Sequence, residues 1–159
     1  LLGALAGCGA APQTPGERSL ESARPTRLKV LAVRLLPGDD PKAALDRIVR
    51  ERGIEGAFVL SCAGSLSRAV IRFADRKEPT TIEQKLEIVS LSGTLSATGG
   101  SHLHISVADG DGRTIGGHLK EGSAVYTTAE IAIGVAEGLK FTREPDARTG
   151  YSELFIESR

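Results

Sequence analysis

Between Ser101 and Leu119, apolar and polar residues alternate on both sides of the cluster Asp109-Gly110-Asp111-Gly112, and that pattern admits little besides a β-hairpin. Successive strand side chains point to opposite faces. Leu103, Ile105 and Val107 therefore share the face that enters a core, and His102, His104 and Ser106 share the other. The two imidazoles stand two residue rises apart, roughly 6.6 Å along the strand. A loop of Gly110-Asp111-Gly112, closed by Asp109 opposite Arg113, sets His118 directly across from His104. A two-residue loop would turn His118 to the other face, and Gly116-Gly117 leaves room for a bulge that corrects such a slip. All three histidines of the chain fall in this one hairpin.

Three neutral imidazoles meeting at one point hold zinc, or another divalent transition metal, through bonds of about 2.0 to 2.1 Å and leave a fourth position open. Such an ion lowers the pKa of bound water towards about 7 or polarises a carbonyl. Glu130 and Glu87, both in strand-like segments, are the candidates for a fourth ligand or a catalytic base. The competing reading is three surface or intersubunit histidines that hydrogen-bond to backbone and bind nothing. Cupins share the His-X-His spacing, but here Asp109 stands where their Glu would be and their second motif is missing. The chain has no glycine-rich phosphate loop followed by Lys and Thr and no Gly-X-Ser-X-Gly turn, which removes support for ordinary nucleotide-binding and serine-hydrolase readings.

At 159 residues the chain fits one domain and a short appendage. Lys plus Arg and Asp plus Glu each number 20, so no positive excess draws nucleic acid, which is not an expected partner. With 19 glycines and neither Trp nor Met, a core must rest on Val, Ile, Leu and Ala between tight turns. Arg27 to Leu36 reads as a first strand. A helix follows, with Asp40 as N-cap, Pro41 in the first helical position, an apolar stripe of Ala44, Leu45, Ile48 and Val49, and Gly53 at its end. Gly56 to Phe73 reads as two short strands around Gly64-Ser65, and 75–81 as a loop. Ile82 to Leu95 and Val125 to Val135 continue the β pattern, and the last stretch from Leu139 breaks at Pro145-Asp146 before Leu154-Phe155-Ile156. One helix among many strands predicts an α+β fold with one main helix. Cys62 sits in an apolar run and reads as a small buried hydrophobe.

Residues 1–8, Leu1-Leu2-Gly3-Ala4-Leu5-Ala6-Gly7-Cys8, resemble the end of a bacterial lipoprotein signal with its lipobox, so Cys8 is the expected site of lipidation. Residues 9–26 are rich in Gly, Ala, Pro, Ser and charge, as a flexible linker between lipid and domain would be, and the domain proper then runs over 27–159. This predicts attachment to the membrane through the N-terminal lipid at the cell envelope, on the periplasmic side in a Gram-negative cell. If the cysteine is incidental, the location is cytoplasmic.

Four segments carry a family resemblance: Leu91-Ser92-Gly93-Thr94-Leu95, His102-Leu103-His104-Ile105-Ser106-Val107-Ala108-Asp109, Gly116-Gly117-His118-Leu119 and Thr127-Thr128-Ala129-Glu130. In order and spacing they resemble the PPC domain, conserved between plants and prokaryotes, and Leu60 to Leu66 and Phe141 to Asp146 with Thr149 to Leu154 also look like its prokaryotic members, so the resemblance covers roughly Leu28 to Glu157. The resemblance implies an α+β fold with a central, largely antiparallel sheet, a homotrimer with the histidine surface near subunit boundaries, and a metal at the equivalent histidines in some prokaryotic members. Plant members add Arg-Gly-Arg-Pro hooks for DNA, which this chain lacks, and their partner-binding segment corresponds to Gln84-Lys85-Leu86-Glu87-Ile88-Val89 without its Gly and Phe. Three functions follow as expectations. The first is a trimeric envelope binding protein for a metal or small-molecule ligand, the second a metal-dependent hydrolase or lyase, and the third a DNA-associated scaffold.

Overall fold

The computed structural model describes residues 23–159, so Cys8, the signal remnant and most of the expected linker lie outside the described residues. The elements are β1 (Leu28–Leu35), α1 (Pro41–Glu51), β2 (Ala57–Arg72), β3 (Thr80–Ile82), β4 (Leu86–Ser96), β5 (Gly100–Ala108), β6 (Thr114–Leu119), β7 (Ala124–Ala136), β8 (Leu139–Asp146) and β9 (Tyr151–Ser158). The expected α+β class with one main helix needs correction. Among the described residues the fold is mostly β, with one helix of 11 residues beside a large antiparallel sheet. The physical reason lies in where the apolar residues fall. The helix buries Ala44, Leu45 and Val49, whereas most of the core comes from strand positions that face inward at a period of two.

The main sheet runs β1-β7-β2-β4-β5-β6, with β3 attached to β2. Its far strand returns to its middle: β6 pairs β2 through Ile71 opposite Leu119 and Arg72 opposite His118. The sheet thus curls around Leu66, Ile71, Leu103, Val107 and Leu119, all at most 2% exposed. This curl is possible because 57–72 is one continuous strand rather than two. Register shifts between Val59 and Ser61 and between Gly64 and Arg68 bend it without breaking it. A separate β8-β9 ribbon packs through Leu139 and Phe141 against Phe58, and its turn falls at 147–150, just past the expected break.

The helix starts where its cap predicts. Asp40 Oδ1 accepts from the backbone N–H groups of Lys42 (2.9 Å) and Ala43 (3.2 Å), while Oδ2 accepts from Gly122 N–H at 2.6 Å. One carboxylate therefore caps the helix and ties it to the turn before β7. Asp40→Ala should cost about 1 to 2 kcal/mol by chemical denaturation, and Asp40→Asn less.

Candidate metal centre

The hairpin of β5 and β6 has the three-residue loop that puts the histidines together. Asp109 N–H donates to the Arg113 carbonyl at 3.0 Å, and His104 stands directly opposite His118. On the inward face Leu103, Ile105, Val107 and Leu119 are buried. The outward face then has no choice but to carry His102, His104 and His118. Their neighbours are set by the same ladders: Ser92 and Thr94 of β4 lie opposite His104 and His102, and Arg72 of β2 lies opposite His118.

Glycines let these strands approach. A Cβ at Gly117 would come within 2.6 Å of the Arg72 carbonyl oxygen, so the β2-β6 closure beside His118 requires glycine there. Gly93 has φ +139°, and a Cβ on it would be driven into the His102 carbonyl.

His102 Nε2 lies 3.1 Å from His104 Nε2 and 3.2 Å from His118 Nδ1. One nitrogen from each of the three rings lies within 4.8 Å of the others. Tetrahedral bonds of about 2.05 Å would separate ligand nitrogens by about 3.3 Å, which the two separations from His102 approach, and the third pair stays within 4.8 Å. Protonation also fits. Burial, then Arg72, the other histidines and Lys120 hold His118 down at about 4, and burial followed by Arg143 lowers His102. At neutral pH these imidazoles are uncharged, the form that binds metal.

The shift on His118 has a measurable consequence in metal-free protein. Its pKa rises from about 4 to the ordinary 6.5 on unfolding, so between those values the unfolded chain binds more protons. Stability should fall as pH drops from 6.5 towards 4. The slope of the denaturation midpoint against pH should be shallower in His118→Asn than in the wild type.

Two clefts flank the histidines. One of about 450 Å³ runs between His102, His118, Arg72, Lys120 and Arg143. A second of about 330 Å³ lies between His102, His104 and Thr94. Arg143 and Glu153 line both, contributed by the β8-β9 ribbon. The Arg143 guanidinium donates to Thr94 Oγ1 at 2.8 Å, and Glu153 is the carboxylate whose charge favours a protonated His102. Sequence reasoning passed over both. A signal existed for Arg143, which continues the inward alternation of Leu139 and Phe141.

The expected carboxylates Glu87 and Glu130 line neither cleft. Glu87 pairs with Ala108, four residues beyond His104 on β5, which is roughly 13 Å along the strand. Glu130 lies on β7 between Arg34 and Ala63, where it lines a separate groove with Cys62. Cys62 itself is half-buried, and desolvation pushes its thiol up to about 11, so it is no thiolate at neutral pH. Among the described residues no helix is long and apolar enough to cross a membrane.

Comparison with known proteins agrees with this fold. A curated relative, the bifunctional protein GlmU of Synechococcus sp. (strain JA-3-3Ab), is 49% identical over 130 residues, 82% of this chain. The chain spans about a fifth of the length of the curated relatives it matches (21% in each). A hypothetical protein from Salmonella enterica superposes with a TM-score of 0.83 at 38% identity, covering 86% of this chain and 98% of that one. A metal-containing protein from Archaeoglobus fulgidus gives 0.68 at 29% identity, covering 85% and 100%. A proposed DNA-binding protein from Bacteroides thetaiotaomicron, 23% identical with a TM-score of 0.68 over 81% and 96%, shares the fold alone. The model of the Plants and Prokaryotes Conserved (PCC) domain, the PPC domain under a second abbreviation, matches residues 22–137, and this chain belongs to that family.

Proposed function

We propose that this chain is a binding module that holds zinc, or another divalent transition metal, on His102, His104 and His118, with a small-molecule ligand in the adjoining cleft. The observation that carries this reading is the convergence of three imidazole nitrogens within 4.8 Å of one another, with His102 at 3.1 and 3.2 Å from the other two, close to the separation of zinc ligands. The metal-containing Archaeoglobus relative supports it. Metal analysis of protein purified without chelator tests it. About one zinc or other transition-metal ion per chain is expected, and a chain that neither copurifies with metal nor takes up added zinc rejects it.

In this reading the module works as a homotrimer, tethered to the cell envelope by lipid on Cys8. Val30 is 64% exposed and Leu60 47%, and both flank Gly134 on one face of the sheet, an apolar surface suited to a second copy. Sedimentation equilibrium and palmitate labelling of Cys8 test these two points separately.

A second reading, a metal-dependent hydrolase or lyase, is favoured by one observation: Glu153 lines both clefts beside His102. A bound ion would supply Lewis acidity there, and Glu153 would take or give the proton. Glu130 and Glu87 would serve in that role only if another subunit brought them to the cleft. DNA association gains no support from a chain with as many acidic as basic residues.

A further inference from the structure

Arg72, Lys120 and Arg143 come from three different elements, β2, the turn after β6 and β8, yet line one cleft of about 450 Å³ together with His102 and His118. Like charges repel, so three cations do not gather without a reason. Among the described residues none of the three forms an ion pair. Arg143 and Arg72 each spend one N–H group on a neutral oxygen, Thr94 Oγ1 at 2.8 Å and the Arg76 carbonyl at 3.1 Å, which orients the guanidinium groups and leaves their other donors free. Glu153 is the single carboxylate in the lining, so with neutral histidines the cleft carries a net charge of two positives.

We propose that this cleft binds a small molecule through a phosphate monoester, held by Arg72, Lys120 and Arg143, with the rest of the molecule reaching the histidine site. The charge matches. A phosphate monoester carries close to two negative charges at neutral pH and three acceptor oxygens for three separate donors. The cleft volume suits a metabolite rather than a macromolecule. The identification of the ligand's far end rests on the metal reading above; the phosphate subsite does not. Arg143 arrives on the β8-β9 ribbon, so the third cation reaches the cleft from a segment packed back onto the main sheet.

Titration calorimetry of the full chain at constant ionic strength, with inorganic phosphate as probe, tests the proposal. Phosphate should bind the wild type and bind Lys120→Gln and Arg143→Gln about tenfold more weakly or worse, because each variant loses one charge-assisted hydrogen bond. Zinc should bind the same variants without phosphate no more weakly than the wild type, because each loses a positive charge that repels the ion. Malonate, a dianion of different shape, should bind at least about tenfold more weakly than phosphate. No phosphate binding, equal binding by both variants, or malonate binding as tightly as phosphate overturns the proposal. Running the titration with and without zinc separates the two readings. Phosphate binding that is lost in the variants but indifferent to zinc supports the subsite and removes its link to the metal, whereas a chain that binds zinc but no phosphate leaves the metal reading standing alone.

Discussion

His104→Ala and His118→Ala should each weaken zinc binding by ~100-fold or more, beyond the loss typical of an outer-shell partner. Each ring supplies one of three donors at the centre, and no other His, Cys, Asp or Glu among the described residues joins their cluster. Ser106→Ala, two residues along the same strand face, should leave affinity unchanged. Competition with a chromogenic chelator reads the constants directly. Stability gives a second readout: zinc at 100 times its Kd adds about 2.7 kcal/mol to a protein that binds it only when folded. For a chain of this size that is a rise of about 5 to 10 °C in Tm for the wild type, and at the same zinc concentration the two alanine variants should keep at most about 0.4 kcal/mol of it, a rise of about 2 °C or less. Acid should reverse the effect. Protons compete with the ion for all three imidazoles, so metal should be released as the pH is lowered, with His118, held down at about 4 by burial and then Arg72, the last of its contacts to yield to proton competition.

Gly93→Ala should be the most damaging single-methyl change in the molecule that leaves every histidine in place. Gly93 pairs with Leu103, between the two histidines of β5, at φ +139°, and its missing Cβ is what lets the His102 carbonyl come so close. An added methyl group meets backbone on the partner strand, which cannot swing aside as a side chain could. Either β4 and β5 separate or the strand twists, and both move His102 and His104 relative to His118. A loss of about 3 kcal/mol or more is expected, or a fall in Tm of roughly 6 to 12 °C. Zinc affinity should fall with it even though all ligands remain. Ser92→Ala, one residue earlier, should change neither quantity by much. A Gly93→Ala protein with wild-type stability and wild-type zinc affinity would mean that the close approach of β4 to β5 is unimportant to the site.

Much of the site was legible because a strand has a period of two. Leu103, Ile105, Val107 and Leu119 are apolar at the inward positions, so the face of His102 and His104 followed without coordinates, and of the two loop lengths open to Asp109 to Arg113 the structure has the three-residue one that sets His104 opposite His118. The helix was legible for a similar local reason, since Asp40, Pro41 and Gly53 act within a turn of their own positions. The fold class was not legible because one helix in a pattern does not show how little of the core it buries beside the strands. Glu87 and Glu130 were chosen for residue type and strand pattern, and those carry no information on which strand lies beside which. Glu87 sits at the wrong end of β4, and Glu130 is separated from β5 by both β2 and β4.

The structure decided between the loop lengths and so set His118 opposite His104, whereas the sequence by itself determined the hairpin, the shared face of His102 and His104 and the family resemblance. These depend on side-chain alternation and on hydrogen bonds spanning a few residues. Only the tertiary structure decided what surrounds the imidazoles. Arg72 reaches His118 because β2 is long and bent enough to pair with β6, and Arg143 and Glu153 reach His102 because the β8-β9 ribbon packs back onto the main sheet. Those contacts join residues far apart in the chain, and they form because curling the sheet and docking the ribbon remove apolar surface from water, a drive that is not directional and leaves no local mark on the residues it brings together.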